Sequence, residues 1–201
     1  MKTSFKLFNF LGVPVKLNIF FIIIFFICPL NIAIAAFIAI LIHEMAHCYI
    51  AHRRGYQLYG IEISFFGGAA SMDSNMHERD SIPVTAAGPI SNLILAIISF
   101  GVGLIFPSIF TNGSFLYSLV LVNFVLFAFN MLPIIPMDGG LILKDSLIRI
   151  LKNRRKANRI ALKTSLVTSI LMLGASLYCS EWFIAIFACF FIYNSITKLK
   201  N

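Results

Sequence analysis

A short polar motif lies inside an apolar stretch of the chain. His43, Glu44 and His47 form the pattern H-E-x-x-H within the apolar run 31–51. If this run is a helix, the two histidines lie four residues apart on one face and can bind the same ion. Two imidazoles suit zinc, and the glutamate after the first histidine is the usual general base of this motif. The pattern therefore predicts metal-assisted hydrolysis.

Asp138 is the candidate for a third metal ligand. It lies in the segment 133–140, after two prolines and before two glycines. The prolines disfavour a regular helix, and the glycines allow close approach of the backbone. Together with His43 and His47, Asp138 would leave the fourth position of a zinc ion open for water. The ligand types alone also allow another divalent metal.

The composition predicts a membrane protein. Of the 201 residues, 59% are hydrophobic and 12% are charged, whereas soluble domains are about half apolar and a quarter charged. We expect an all-α polytopic membrane protein with one membrane-embedded domain over 1–201 and a catalytic core at about 31–140. In this setting three ionisable groups inside one apolar helix are costly unless they face a partner or a cavity, which favours the metal site over mere packing.

Six transmembrane helices account best for the apolar runs and the charges. The runs are 17–28, 31–51, 82–106, 115–132, 160–178 and 182–193, and aromatic and β-branched residues over 56–66 predict a short β-hairpin-like segment between the second and the third. With the N-terminus inside, all sixteen Lys and Arg residues fall in the inner segments or the adjoining helix ends. This bias predicts two cytoplasmic termini and an active site toward the cytoplasmic face.

The net charge and the cysteines exclude other classes of site. The net charge of +8 has a membrane cause in this topology, so we expect no nucleic-acid partner. The four cysteines form no C-x-x-C pair and lie in or beside apolar runs. We therefore expect neither a disulfide framework nor a cysteine zinc site.

Three motifs together resemble one known family. They are LIHEMAH at 41–47, AGPISN at 87–92 and NMLPIIPMDG at 130–139. In this order, each at a membrane span, they resemble the site-2 protease family of intramembrane zinc metalloproteases over about residues 31–140. The small size and six spans are most similar to the stage IV sporulation protein FB group, which cleaves a membrane-associated precursor of a sporulation sigma factor. Many members of that group carry a C-terminal CBS domain, which we do not find before Asn201.

The resemblance implies a role for each motif residue. His43, His47 and Asp138 would bind one zinc ion per chain, and Glu44 would activate the attacking water. Asn130 would lie near the substrate or the developing oxyanion, although a helix cap or an interhelical hydrogen bond is the alternative.

Two further positions have a structural alternative. Gly67 and Gly68 resemble a family loop that meets the substrate as an extended strand, and a plain turn is the alternative. Asn92 has the same two interpretations as Asn130, and we favour the structural one.

The predicted function is that of an intramembrane zinc metalloendopeptidase. It would perform regulated intramembrane proteolysis of a membrane-associated protein, such as a sporulation sigma-factor precursor, in contact with the lipid bilayer and under a membrane inhibitor or regulator. The alternatives are a divalent-metal transport protein and an inactive membrane scaffold that use the same ligands. Glu44 distinguishes them, because hydrolysis requires a base at this position and passage of a metal does not.

Overall fold

The computed structural model describes residues 4–64, 67–73 and 75–200 of the chain. These described residues form four strands, namely β1 Ser4–Phe10, β2 Val13–Asn18, β3 Leu58–Ser64 and β4 Gly67–Met72. The α-helices are α1 Ile24–Ile27, α2 Leu30–Arg53, α3 Glu78–Ile105, α4 Phe115–Asn130, α5 Asp138–Leu151, α6 Arg154–Tyr178 and α7 Trp182–Lys200. Short 3-10 helices lie at Ile19–Ile23 and Pro107–Ile109.

The described residues include four helices that are long and apolar enough to cross a membrane. These are α2, α3, α6 and α7, and α4 is a shorter apolar helix of 16 residues. The fold is therefore mostly helical, as predicted, but the count of six spanning helices is not confirmed. The fourth predicted run corresponds to α4.

The first predicted span does not form a long helix. Its first two residues belong to β2, and the rest of the run forms the 3-10 helix Ile19–Ile23 and the four-residue helix α1. Leu17 pairs with Ile63 of β3, so the sheet extends into the apolar run. The side chain of Asn18 then accepts a hydrogen bond from the backbone N–H of Phe20 and ends the strand. An apolar run of this length has the composition of a span, but strand pairing fixes its first residues.

A sheet of four strands replaces the expected isolated hairpin. The strand order is β1-β2-β3-β4. β1 pairs with β2 and β3 with β4 in antiparallel fashion, and β2 pairs with β3 in parallel. Leu11 and Gly12 connect β1 to β2 with positive φ angles of 48° and 83°, as a two-residue hairpin turn requires. The prediction of an all-α chain with one hairpin missed these two strands.

The chain divides into two compact units. The first comprises residues 1–76 and 86–128, and the second comprises 77–85 and 129–201. In the first unit the sheet packs on α2 through a buried cluster of Val15, Cys48 and Ile61, with Leu41 and Met45 of α2 at its edge. Cys48 therefore has the packing role that an apolar environment predicts for a free thiol.

The second unit is built on α5, α6 and α7. Ile135, Ala161 and Leu162 form its buried cluster. The hydroxyls of Ser165 and Ser195 lie 2.9 Å apart and join α6 to α7. Leu199 packs against the cluster that contains Ala161 and Leu162. Because the contact residue on α7 moves from 199 back to 195 as that on α6 advances to 165, the two helices are antiparallel.

Candidate active site

The H-E-x-x-H residues lie in the second half of α2. The helix starts after Pro29, and Gly55 follows its end with a φ of 82°. His43, Glu44 and His47 are 6%, 6% and 8% exposed. Ionisable groups buried to this extent require partners or a bound ion, because desolvation of their charged forms is costly.

The two imidazole rings both face Gly88 of α3. Their centroids lie 4.7 Å apart with an interplanar angle of 83°. A Cβ atom placed on Gly88 would lie 2.6 Å from the Nε2 atom of His43 and 2.5 Å from the Cε1 atom of His47, and it would also contact the Nε2 atom of His47. Only glycine leaves this space beside both Nε2 atoms. Two imidazole nitrogens that face one space form a donor set that fits zinc.

A buried chain of amide groups orients the ring of His43. The Nδ1 atom of His43 lies 2.6 Å from the Oδ1 atom of Asn92 on α3. The side-chain nitrogen of Asn92 donates to the backbone carbonyl of Ala39 and, at 2.9 Å, to the Oδ1 atom of Asn123 on α4. The side-chain nitrogen of Asn123 donates in turn to the carbonyl of Leu119. Asn92 and Asn123 are fully buried.

These bonds determine the tautomer of His43. A backbone carbonyl can only accept, so the side-chain nitrogen of Asn123 donates to Leu119 and its oxygen accepts from Asn92. The oxygen of Asn92 must then accept from His43, which places the ring proton on Nδ1. The lone pair of His43 is therefore on Nε2, beside Gly88. A metal-binding histidine usually donates the N–H of its other ring nitrogen to an oxygen acceptor.

Glu44 lies against β4. A Cβ atom on Gly68 would come within 2.5 Å of the Oε1 atom of Glu44, so the backbone of the strand covers this carboxylate directly. β4 is at the edge of the sheet. Gly67, the first residue of β4, has a φ of 118°, a conformation that glycine favours. The predicted residues Gly67 and Gly68 therefore bring an edge strand to the carboxylate.

Asp138 is the first residue of α5 in the second unit. Residues 131–137 form a turn in place of a helix, as the prolines predict. The backbone N–H of Ile135 donates to the hydroxyl of Ser165, and the side chain of Asn194 donates to the carbonyl of Ile135. These two bonds from α6 and α7 hold the turn that leads into Asp138. A carboxylate in the first turn of a helix also interacts favourably with the helix dipole.

Two glycines after Asp138 allow the turn to approach α5. A Cβ atom on Gly140 would lie 2.5 Å from the carbonyl carbon of Ile134, and one on Gly139 would contact the backbone of Met131. Asn130 is half-buried at the end of α4. Sequence reasoning missed Asn123 altogether. The sequence could have pointed to Asn123, since an asparagine inside an apolar helix requires a hydrogen-bond partner.

Comparison with known proteins matches the chain to one family of peptidases. The family described as Peptidase family M50 matches residues 31–112 and 108–173. The chain is 31% identical over 156 residues to zinc metalloprotease MJ0392 from Methanocaldococcus jannaschii, a match that covers 72% of this chain and 45% of that protein. The chain thus spans less than half the length of this relative. The structure is similar to that of a site-2 protease from Methanocaldococcus jannaschii, with a TM-score of 0.71, 27% identity and coverage of 98% of this chain and 95% of the other.

Proposed function

Because the chain belongs to peptidase family M50, the site-2 protease family, we propose that it is a zinc metalloendopeptidase that cleaves a membrane-associated protein. Members of this family are integral membrane proteins, and four apolar helices of this chain have the length to cross a bilayer. The observation that carries the proposal is the arrangement on α2. The Nε2 atoms of two buried histidines face one space beside Gly88, and the glutamate between them lies under an edge strand.

The proposed zinc ligands are His43, His47 and Asp138, as the resemblance to the site-2 protease family implies. Two imidazoles and a carboxylate are a ligand set that is typical of catalytic zinc. A bound zinc ion supplies a Lewis acid that acidifies water and polarises a carbonyl oxygen. Asn92 accepts the Nδ1 proton of His43, so the Nε2 lone pair would be available to hold a zinc ion.

Glu44 is the proposed general base. Its carboxylate would accept a proton from the attacking water and pass it to the nitrogen of the leaving amine. Glu44 is rotated by about 100° around the helix from His43, so it does not compete for the same coordination position. Burial of the carboxylate excludes bulk water from this transfer, since Glu44 is only 6% exposed.

The edge strand β4 is the proposed contact for the substrate. A helical membrane segment must unwind before its peptide bond can be attacked, and addition of an extended segment to a sheet edge satisfies its exposed backbone groups. Gly68 would place that segment directly over Glu44. We propose a supporting role for Gly67 in the turn that begins β4, and for Asn130 a contact with the substrate or the developing oxyanion.

The proposed function also includes a membrane topology and a class of substrate. We propose a single membrane-embedded domain, an active site toward the cytoplasmic face and two cytoplasmic termini, supported by the distribution of Lys and Arg. The resemblance to the stage IV sporulation protein FB group makes a sporulation sigma-factor precursor the first substrate to test. A membrane-bound inhibitor or regulator is the corresponding partner.

Cleavage in a defined membrane tests the proposal. The purified chain is reconstituted with single-span membrane proteins that carry a tag at each end, one of them a sporulation sigma-factor precursor. We expect the unaltered chain to cleave at least one of them and to contain one zinc ion. His47→Ala should lose both the zinc and the cleavage. Equal cleavage by His47→Ala would exclude the proposed metal site, and metal uptake into the vesicles without any cleavage would favour transport.

A further inference from the structure

A basic cavity lies in the second unit, where the start of α6 meets the end of α7. Its volume is about 1250 Å³. Seven Lys and Arg side chains from α5, α6 and α7 line it, together with an apolar floor that includes Ile135, Leu141, Leu162 and Leu199. None of the proposed catalytic residues lines this cavity.

The cations converge on the cavity from two helices. Arg155, Lys156, Arg159 and Lys163 all line it, and their spacing places them within an arc of about 100° on α6. Lys198 and Lys200 contribute from the last turn of α7. Because α6 and α7 are antiparallel, these six cations gather at the same end of the helix pair. This end lies opposite the turn 179–181.

The charge of the cavity is not balanced by its own lining. No Asp or Glu is among the lining residues that the structure describes. Asp145 lies 3.4 Å from the ammonium group of Lys144 and offsets one of the seven charges. Like charges gathered in one cavity repel one another, and a bound anion relieves that repulsion.

The apolar part of α6 and α7 places this cavity at a bilayer surface. Both helices have the length and composition of a membrane span, so their basic ends lie at the depth of the lipid headgroups. The bias of Lys and Arg toward cytoplasmic segments accounts for cations at this end, but it does not account for their convergence over an apolar floor. A ligand with an anionic head and an apolar body matches both parts.

We propose that this cavity binds an anionic phospholipid, with its phosphate among the cations of α6 and α7 and its glycerol and upper acyl chains on the apolar floor. The floor includes Ile135, whose backbone is hydrogen-bonded to the side chains of Ser165 and Asn194. The lipid would therefore contact the turn that precedes Asp138. Free phosphate would satisfy the cations alone, and the apolar floor favours the lipid over it.

A tryptophan reporter measures the occupancy of the cavity. The sequence has one tryptophan, Trp182, which begins α7 at the end opposite the cavity. In Trp182→Phe with Ile160→Trp, the only tryptophan is an exposed residue of the cavity lining. The full chain is reconstituted in phosphatidylcholine vesicles that contain a small mole fraction of brominated phosphatidylglycerol or brominated phosphatidylcholine.

We expect brominated phosphatidylglycerol to quench this reporter several-fold more than brominated phosphatidylcholine at the same mole fraction. Trp182 in the unaltered chain should be quenched equally by the two lipids. The triple variant Arg155→Gln, Lys156→Gln, Arg159→Gln should weaken the association by roughly 10- to 100-fold, since each cation near a membrane surface contributes appreciably to anionic lipid binding. Lys198→Gln with Lys200→Gln should also weaken it without altering α6.

A matched control removes three cations elsewhere. Lys6, Lys16 and Arg53 are exposed and lie outside the cavity, so their replacement by Gln should leave the excess quenching unchanged. Circular dichroism confirms that each variant is folded.

Three results would overturn the proposal. Equal quenching of the cavity reporter by the two lipids would show that the cavity does not select anionic lipid. Loss of the excess quenching by brominated phosphatidylglycerol on addition of millimolar inorganic phosphate would assign the cavity to free phosphate. Loss of the excess on addition of a micromolar poly-glutamate peptide would assign it to an acidic protein segment.

Discussion

The Nδ1 atom of His43 lies 2.6 Å from the side-chain oxygen of Asn92, and both residues are buried. Asn92 is fixed in turn by Asn123 and by the carbonyl of Ala39. This chain of bonds leaves a single tautomer for His43, so the orientation of the proposed zinc ligand depends on residues from three helices. Asn92 and Asn123 therefore act as positioning residues.

Asn92→Ala should weaken zinc affinity by roughly 10- to 100-fold, the usual effect of removing the hydrogen-bond partner of a metal-binding histidine. Asn123→Ala should have a smaller effect, because it acts through Asn92. Zinc affinity is measured by competition with a chelator. The matched control is Ser118→Ala, which removes another buried, hydrogen-bonded side chain of α4 that does not contact His43. Equal zinc affinity in the Asn92 and Ser118 variants would contradict this role.

Gly68→Ala should reduce cleavage by roughly 10- to 100-fold while zinc remains bound. Its new Cβ would lie 2.5 Å from the Oε1 atom of Glu44, so either the strand or the carboxylate must move, and small displacements of catalytic groups have effects of this size. The control is Ala69→Val, at the exposed neighbouring position. Cleavage rate and zinc content are measured together. Unchanged cleavage by Gly68→Ala would show that the backbone of β4 does not lie as close to Glu44 as described.

Gly140→Ala should destabilise the second unit by about 1–3 kcal/mol, the usual cost of an overpacked site. Its Cβ would lie 2.5 Å from the backbone of Ile134, which cannot move as a side chain can. Since this turn leads into Asp138, zinc content should also fall. Gly174→Ala in α6 is the control, because a Cβ there meets no atom within 4 Å. Thermal unfolding distinguishes the two, and similar midpoints for both variants would contradict the close approach.

The hairpin of β3 and β4 should loosen at acidic pH. Asp73 accepts hydrogen bonds from the hydroxyl of Tyr59 at 2.7 Å and from the backbone N–H of Gln57 at 2.9 Å, and these bonds hold the pKa of Asp73 below its ordinary value of 3.8. A carboxyl group with a lowered folded pKa stabilises the fold above its unfolded pKa, and this contribution is lost as the pH falls through the folded pKa.

Hydrogen exchange of the β3 and β4 amides, corrected for intrinsic rates, should therefore show less protection below about pH 4. Asp73→Asn should show reduced protection already at neutral pH and little further change on acidification. The same pH response in both proteins would remove Asp73 as its cause.

The sequence was sufficient for the local part of the site. The spacing of His43 and His47 predicts one helix face, and the prolines and glycines around Asp138 predict a turn with close backbone contacts. The structure has both features. The resemblance to the site-2 protease family, based on three short motifs, is confirmed by the family match. Local patterns of this kind depend on the helical period and on backbone chemistry, which neighbouring residues specify.

The nonlocal part could not be predicted from the same patterns. The run 17–28 has the hydrophobicity of a span, but its first residues pair with β3, more than forty residues later in the chain. The structural role that we favoured for Asn92 agrees with its interhelical hydrogen bonds, but the sequence could not identify the partner, because His43 lies on another helix and 49 residues away. Pairings of this kind depend on how helices and strands pack, which the period of the sequence does not specify.

Glu44→Gln separates the proposed hydrolysis from metal binding. Gln keeps the size of the side chain but cannot accept the proton, so the fold and the zinc content should be preserved. Loss of a general base should reduce cleavage of a membrane-tethered substrate by at least roughly 10²-fold. The measurement is the cleavage rate in reconstituted membranes, with zinc determined in the same sample. We expect about one zinc ion per chain and almost no cleavage. Near-normal cleavage by the zinc-loaded variant would contradict the role of Glu44 as the general base.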